Sequence, residues 1–221
     1  MTIGLMVLVS AFAGEDAEFT AKPRPGGSYV NVDADTTCTF GFMAEDPEGR
    51  IGFLTAGHCG DVGDEVAVDT FMGPAVIGRF TESRDDGPYV RDLDLGFIAL
   101  DDPSSADPAI IGPDRAPSSV AMPWDVLREG PELCFAGQMS GVTCGERRGV
   151  EGGVWHPTDI AFGVTAIEGD SGSPVWTTGP DDGIVAVGIL GGVGIDVPDE
   201  SYAELVEGAA AAQLGLRVIT R

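Results

Sequence analysis

Glycine and proline punctuate this chain so densely that many short strands are favoured over long helices. It has 33 glycines and 15 prolines among 221 residues, and the apolar runs between them are short. Short apolar runs bounded by turn-forming residues are typical of β-strands joined by tight turns. A chain of this length can bury a substantial core, as one large all-β domain or as two small packed barrels. The sequence therefore predicts an all-β protein.

Strand-like runs fall into two groups separated by a connector. The connector, Asp101 to about Pro123, holds five prolines and little periodicity. A polar, proline-rich arm over 14–27 precedes the first group. We expect two packed six-stranded antiparallel barrels, over 28–112 and 113–221. The expected strands are 29–32, 38–43, 51–54, 65–68, 75–80 and 93–100 in the first group, and 133–136, 149–150, 161–166, 174–176 and 184–190 in the second.

One segment near the C-terminus predicts a helix. Residues 201–214 are rich in alanine, carry Glu204 near their start and end before Gly215. Alanine is the strongest helix former, and glycine often follows a helix end. We therefore expect one C-terminal helix after the second barrel.

The charge of the chain excludes some classes of partner. The formal net charge is −24, with Lys22 as the single lysine. Phosphate backbones and anionic lipid surfaces would be repelled, so nucleic acid is not an expected partner. Such a surface keeps a protein soluble and monomeric, and we interpret it as a solvated acidic face.

The first thirteen residues resemble an export signal. An apolar run, 3–10, is followed by Ala11-Phe12-Ala13, a small-x-small cleavage pattern. No positive residue precedes the run, so a truncated signal or a misassigned start codon fits as well. The run is too short to span a bilayer, and no membrane association is expected after processing.

Four cysteines, Cys38, Cys59, Cys134 and Cys144, lack the Cys-x-x-Cys spacing of zinc or thioredoxin-type motifs. They predict two disulfides. Three pairings are possible, of which Cys38 with Cys59 and Cys134 with Cys144 is the local choice. Disulfides imply an oxidising, extracytoplasmic compartment. The alternative is four buried free thiols.

Three short segments supply a base, an acid and a nucleophile in that order. They are Thr55-Ala-Gly-His58-Cys59, Asp94-Leu-Gly-Phe97 and Gly169-Asp-Ser171-Gly-Ser-Pro174. A serine hydroxyl needs a neutral imidazole to take its proton and a carboxylate to orient that imidazole. Asp92 and Asp94 lie two apart on a predicted strand, so both could face His58. The glycines beside Ser171 allow the amides of Gly169 and Ser171 to converge as an oxyanion hole.

Each segment also has a structural interpretation. A lone histidine is more often structural, either aspartate could be a solvated strand-end carboxylate, and a Gly-Ser turn is common. The three segments together favour a serine hydrolase.

With these motifs the chain resembles the chymotrypsin-like serine peptidases, and among them the bacterial streptogrisin branch, from about Ser28 to Arg221. The resemblance implies a trypsin-like pair of barrels, a C-terminal helix and the catalytic residues His58, Asp94 and Ser171. It selects Asp94 over Asp92 because the family places a small residue, here Gly96, two positions after the catalytic acid. It also supports both local disulfides.

One position departs from the family pattern. In the branch an internal arginine, just after the first cysteine of the second disulfide loop, holds the aspartate that precedes the serine. Here that aspartate is Asp170 and the arginine position is Phe135. We expect either another cation, Arg128, Arg147 or Arg148, or a less ordered oxyanion loop.

The resemblance also places a substrate pocket beside the serine. Its base is Thr165, and its other residues are Glu168, Leu190, Gly191 and Gly192. Because no acid lies at the base, the pocket is expected to accept a sizeable uncharged side chain.

The sequence thus predicts a secreted serine endopeptidase acting on protein or peptide substrates. No cofactor or metal is expected, since His156 has no second ligand at metal spacing and the acidic pairs at 85–86 and 181–182 lack a calcium-loop pattern. Two alternatives stay open: a protease-shaped binding protein without activity, and an esterase that uses the same residues.

Overall fold

A computed structural model describes residues 22–85, 93–122, 132–148, 159–193, 199–207 and 213–221. Sixteen strands form two curled, almost entirely antiparallel sheets, so the all-β expectation is confirmed. Some features that the sequence predicts lie outside the described residues. They are the export signal at Met1–Ala13, most of the arm over 14–27, the expected strand at 149–150, Asp92, Arg128 and His156. No described helix is long and apolar enough to cross a membrane.

The first sheet has eight strands in the order β16-β3-β4-β7-β6-β5-β1-β2. The last short strand of the chain therefore returns to close one edge of this sheet, beside β3. The strands are β1 (Ser28–Asn31), β2 (Thr36–Thr39), β3 (Met43–Glu45), β4 (Ile51–Thr55), β5 (Glu65–Thr70), β6 (Gly73–Asp85), β7 (Asp94–Leu100) and β16 (Arg217–Val218).

The second sheet also has eight strands, seven of them in the order β10-β9-β13-β14-β15-β12-β11. The eighth, β8, pairs with β14 in parallel. The strands are β8 (Ser119–Val120), β9 (Leu133–Gly137), β10 (Gly141–Gly145), β11 (Arg147–Arg148), β12 (Asp159–Phe162), β13 (Pro174–Thr178), β14 (Ile184–Val193) and β15 (Ser201–Leu205).

Each sheet curls around its own apolar core, and a third cluster joins them. Phe40, Phe53 and Phe80 lie in the core of the first sheet, and Phe135 and Phe162 in that of the second. The joining cluster contains side chains of both sheets: Phe42, Leu54 and Phe97 from the first, Trp176, Ala186 and Ile189 from the second. Because burial of these side chains is the main stabilising contribution, the two sheets are held as packed neighbours.

Two details of the sequence prediction are corrected. Counting only the described residues, each sheet has eight strands rather than six, because short strands such as β2, β11 and β16 pair at the sheet edges. The expected helix is wrong at its start: Ser201–Leu205 is strand β15, antiparallel to both β12 and β14. All residues of this strand except Tyr202 are buried, and hydrogen bonds to neighbouring strands on both sides override the local helix preference of Ala203 and Glu204.

Candidate active site

His58 and Asp94 form a hydrogen-bonded pair at the end of the first sheet. His58 lies in a 3₁₀ turn, Gly57–Cys59, directly after β4, and Asp94 begins β7, which pairs with β4. The distance from His58 Nδ1 to Asp94 Oδ2 is 2.8 Å. The His58 amide also donates to Asp94 Oδ1 at 2.9 Å. These two hydrogen bonds to the Asp94 carboxylate fix both the orientation of the His58 ring and the position of the His58 backbone.

The electrostatics of this pair suit a general base. The hydrogen bond that His58 donates to Asp94 raises the pKa of His58 above its ordinary value. Partial burial of the ring lowers this pKa, and the charges of Asp94 and Asp85 raise it further. Because the carboxylate accepts a hydrogen bond from Nδ1–H, the neutral ring keeps its lone pair on Nε2. The His58 side chain is 39 % exposed, so Nε2 can be reached by a reacting group.

The Ser171 loop lies against the segments that carry His58. Thr39 donates its amide to the Ser171 carbonyl at 2.9 Å. A Cβ at Gly172 would lie 2.3 Å from Thr55 Oγ1 and 3.2 Å from the Ala56 nitrogen, so only glycine allows this approach. Among the described residues, no hydrogen bond joins the Ser171 hydroxyl to His58. The structure therefore contains a hydrogen-bonded acid–base pair beside the serine, and not a complete hydrogen-bonded triad.

The loop around Ser171 presents two amides without partners. Within the described parts of the chain, the N–H groups of Gly169 and Ser171 donate to no protein atom. The amides that follow each of them have partners: Asp170 donates to the Ile167 carbonyl and Gly172 to the Leu190 carbonyl. Gly169 has φ +96°, a conformation that favours glycine. Two unpaired amides that flank one residue are a suitable donor set for an oxyanion.

Asp170, between those amides, is fully buried and held by neutral donors. Oδ1 accepts the amides of Met139 and Ser140, each at 3.0 Å. Oδ2 accepts the Ser140 hydroxyl at 2.5 Å and the Ile167 amide at 3.1 Å.

None of these donors is an arginine. Phe135 is packed in the core of the second sheet. Arg148 pairs with Asp199 at 3.0 Å, and Arg147 provides none of the donors to Asp170. The expectation of a substitute cation therefore has no support among the described residues.

The residues expected to form the substrate pocket have different environments. Thr165 and Glu168 are exposed, and Gly191 and Gly192 are partly exposed on β14. The Leu190 side chain is 1 % exposed and packs in the core of the second sheet, so it lines no open surface. Gly191 lies close to the acid, since a Cβ there would be 3.0 Å from Asp94 Oδ2.

Both predicted disulfides are present. Cys38 pairs with Cys59, beside His58, and Cys134 pairs with Cys144 across the β9–β10 hairpin. Two groups of potential metal ligands are found among the described residues, Cys38-His58-Cys59 and Glu132-Cys134-Cys144. Both contain disulfide-bonded cysteines, which are not available as thiolate ligands.

Sequence reasoning missed the side chains that support the Ser171 loop. Thr39 donates its hydroxyl to the Gly169 carbonyl at 2.8 Å and accepts the Gln138 amide at 3.2 Å. Gln138 also donates its side-chain amide to the Gly169 carbonyl. Only their position relative to the cysteines could have indicated these residues. Thr39 follows Cys38 of the first disulfide, and residues 138–140 form the turn inside the loop that the second disulfide closes.

Comparisons with known proteins agree with this geometry. No family model matches the chain. An uncharacterized protein of Mycobacterium tuberculosis is 33 % identical over 155 residues, which cover 66 % of this chain and 63 % of that protein. Streptogrisin-C of Streptomyces griseus is 26 % identical over 189 residues, 80 % of this chain and 38 % of that protein. The chain thus spans less than two thirds of the length of either relative.

Two solved structures that superimpose on this chain are bacterial proteases. The Nocardiopsis protease superimposes with a TM-score of 0.67 at 23 % identity, covering 90 % of this chain and 100 % of that one. The chymotrypsin of Cellulomonas bogoriensis superimposes with a TM-score of 0.64 at 23 % identity, covering 90 % of this chain and 99 % of that one. This chain therefore has the fold of the bacterial chymotrypsin-like serine proteases, and its sequence is similar to that of streptogrisin-C.

Proposed function

We propose that the protein is a secreted serine endopeptidase that cleaves protein or peptide substrates through an acyl-enzyme. The observation that carries this proposal is the pairing of His58 with Asp94 by a ring and a backbone hydrogen bond. Such a pair orients an imidazole for proton transfer. The fold and the similarity to streptogrisin-C support it.

In the proposed reaction His58 acts first as base and then as acid. Its Nε2 takes the proton from Ser171 Oγ while that oxygen attacks the carbonyl carbon of the scissile bond. The protonated ring, stabilised by Asp94, then gives its proton to the leaving amine as the C–N bond breaks. Water then gives a proton to His58 Nε2 while its oxygen attacks the carbonyl carbon of the acyl-enzyme. As the C–O bond to Ser171 breaks, His58 gives that proton to Ser171 Oγ and the acid product is released.

The amides of Gly169 and Ser171 are proposed to stabilise the oxyanion. Neither amide has a hydrogen-bond acceptor among the residues that the structure describes, which supports this role, because fixed donors that need no rearrangement act most strongly where charge develops. By mutational precedent, one such donor contributes about 3 kcal/mol to the transition state.

An uncharged residue is proposed on the acyl side of the cleaved bond. Thr165, Glu168, Gly191 and Gly192 are the proposed pocket residues, and Leu190 contributes its backbone. Two glycines on β14 leave room for a sizeable side chain. Secretion is supported by the two disulfides, which persist in oxidising compartments.

Labelling with a fluorophosphonate probe tests the proposal. The full chain is expressed under oxidising conditions, treated with the probe and digested, and the adduct is located by mass spectrometry. We expect an adduct on Ser171 that is lost in Ser171→Ala and in His58→Ala. A folded, disulfide-bonded chain that takes no probe would contradict the peptidase proposal.

A catalytically inert, protease-shaped binding protein is the second candidate. It is favoured by one observation, the lack of a hydrogen bond between the Ser171 hydroxyl and His58. For this candidate we expect no labelling, together with peptide binding that His58→Ala leaves unchanged.

A further inference from the structure

The aspartate beside the proposed nucleophile has an unusual set of partners. Asp170 is fully buried, and an ionised carboxylate in that position needs compensation for lost hydration. Within the described parts of the chain, its carboxylate accepts four hydrogen bonds, all from neutral groups: three backbone amides and the Ser140 hydroxyl. Of these donors, the hydroxyl is the one that a side chain supplies, so it is the one a substitution can remove.

The hairpin that supplies most of these donors is shaped to receive Asp170. Met139 and Ser140 lie in the turn between β9 and β10, which the Cys134–Cys144 disulfide closes. A Cβ at Gly137 would lie 2.2 Å from Asp170 Oδ1, so the carboxylate rests directly against the β9 backbone. Because Gly137 has no side chain, the Asp170 carboxylate can lie close enough to the hairpin to accept hydrogen bonds from Ser140.

The same turn also holds the residue before Asp170. The Gln138 side-chain amide donates to the Gly169 carbonyl at 3.2 Å, and the Thr39 hydroxyl donates to that carbonyl at 2.8 Å. Asp170 in turn accepts the hydroxyl and amide of Ser173 on its own carbonyl. The peptide planes on both sides of Asp170 are thereby fixed. The plane after Asp170 carries the Ser171 N–H, and the plane before it carries the Gly169 carbonyl, which fixes the position of Gly169.

We propose that Ser140 is a positioning residue for the oxyanion loop, because its hydroxyl donates a hydrogen bond to the buried Asp170 carboxylate. This inference rests on the proposed function for its catalytic consequence. Ser140 does not touch the substrate. It acts through Asp170, whose orientation sets the direction of the Ser171 amide and the position of Gly169.

Kinetics of Ser140→Ala and Ser140→Thr test the proposal. Loss of a hydrogen bond to a buried charge is expected to lower kcat about tenfold and leave KM nearly unchanged, because the donors act on the transition state. Affinity for a peptide boronate, which mimics the tetrahedral intermediate, falls by the same factor. Ser140→Thr keeps a hydroxyl and is expected to stay within about threefold of the wild type. Ser118→Ala is the matched control, since its hydroxyl bonds the Ile184 carbonyl away from the site.

Hydrogen–deuterium exchange separates this inference from the proposed function. In Ser140→Ala the peptide spanning 164–173 is expected to exchange faster, while the β4 peptide is unchanged. If the wild type neither cleaves peptides nor takes the fluorophosphonate, the proposed function fails, but the exchange comparison still decides the role of Ser140. Wild-type kcat and wild-type exchange in Ser140→Ala would overturn the inference. If Ser140→Ala does not fold, a Ser140→Thr variant that loses more than tenfold in kcat overturns it, and one within threefold supports it.

Discussion

At the scale of single residues, the site depends on how the Asp94 carboxylate is held. It accepts the ring and the backbone amide of His58 and lies beside Gly191, which leaves open space next to Oδ2. A small change near this carboxylate should therefore be detected in the titration of His58. The chain has two histidines, so a proton NMR titration can resolve both rings.

The first prediction concerns Asp94→Asn. Asp94 raises the pKa of His58, so the variant is expected to have a lower His58 pKa than the wild type. Because catalysis needs the neutral ring, activity of the wild type is expected to rise with pH through a pKa above the ordinary value near 6.5. The variant is expected to lose about 10⁴-fold in kcat, since the wrong tautomer faces the serine. His156→Gln identifies the second ring, and a His58 pKa that does not fall in Asp94→Asn contradicts the prediction.

The second prediction compares two adjacent glycines. A Cβ in Gly191→Ala would lie 3.0 Å from Asp94 Oδ2, whereas a Cβ in Gly192→Ala has no atom within 4 Å. The first variant must displace the carboxylate, so the His58 pKa is expected to fall toward its ordinary value; the second is expected to leave it unchanged. An equal His58 pKa in the two variants would show that a Cβ at position 191 does not disturb the Asp94 carboxylate.

At the scale of elements, the strands were easier to predict than the supports of the site. Runs such as Ile51–Leu54 and Ile184–Leu190 are strands because dense β-branched and aromatic residues, bounded by turns, have few other solutions. Residues 201–205 were missed because alanine and glutamate favour a helix locally, and only the neighbouring strands β12 and β14 supply the partners that make a strand.

The partners of Asp170 could not be predicted for a different reason. Three of its four donors are backbone amides, which every residue except proline carries, so they leave no signature in the sequence. Ser140 is one hydroxyl among many. The motifs at His58, Asp94 and Ser171 were visible because their chemistry requires particular side chains in a particular order.

The third prediction concerns the Cys134–Cys144 disulfide of the β9–β10 hairpin. This disulfide joins two cysteines at a sequence separation of 10. Substitution of both cysteines with serine removes the loop closure from the unfolded chain. Chain entropy then predicts a loss of about 3 kcal/mol in the free energy of unfolding. Because this hairpin also holds Asp170, exchange in 164–173 is expected to rise as well. Urea unfolding measures the first effect; a loss of stability without faster exchange there would show that the turn keeps its geometry without the disulfide.

At the scale of the whole molecule, like charges repel across the surface. Acidic residues number 36 and basic residues 12. Several arginines are already paired at the surface, as in Arg24–Asp114 and Arg217–Glu45. Exposed pairs of this kind contribute little, at most about 1 kcal/mol each. The excess of negative charge, rather than the pairs, should therefore decide how the protein responds to salt.

The last prediction follows from that balance. Raising NaCl from about 0.05 M to 1 M shortens the screening length from more than 10 Å to about 3 Å, so repulsion among the unpaired carboxylates weakens. The melting temperature is expected to rise, because the lost attraction of the exposed ion pairs is smaller than the relieved repulsion. Calorimetry is done on Ser171→Ala, in which self-digestion cannot distort the transition. KCl at the same ionic strength should give the same rise if screening is the cause. A rise with one of these salts alone would indicate cation binding instead, and a constant or falling melting temperature would mean that the carboxylates are too far apart to destabilise the folded state.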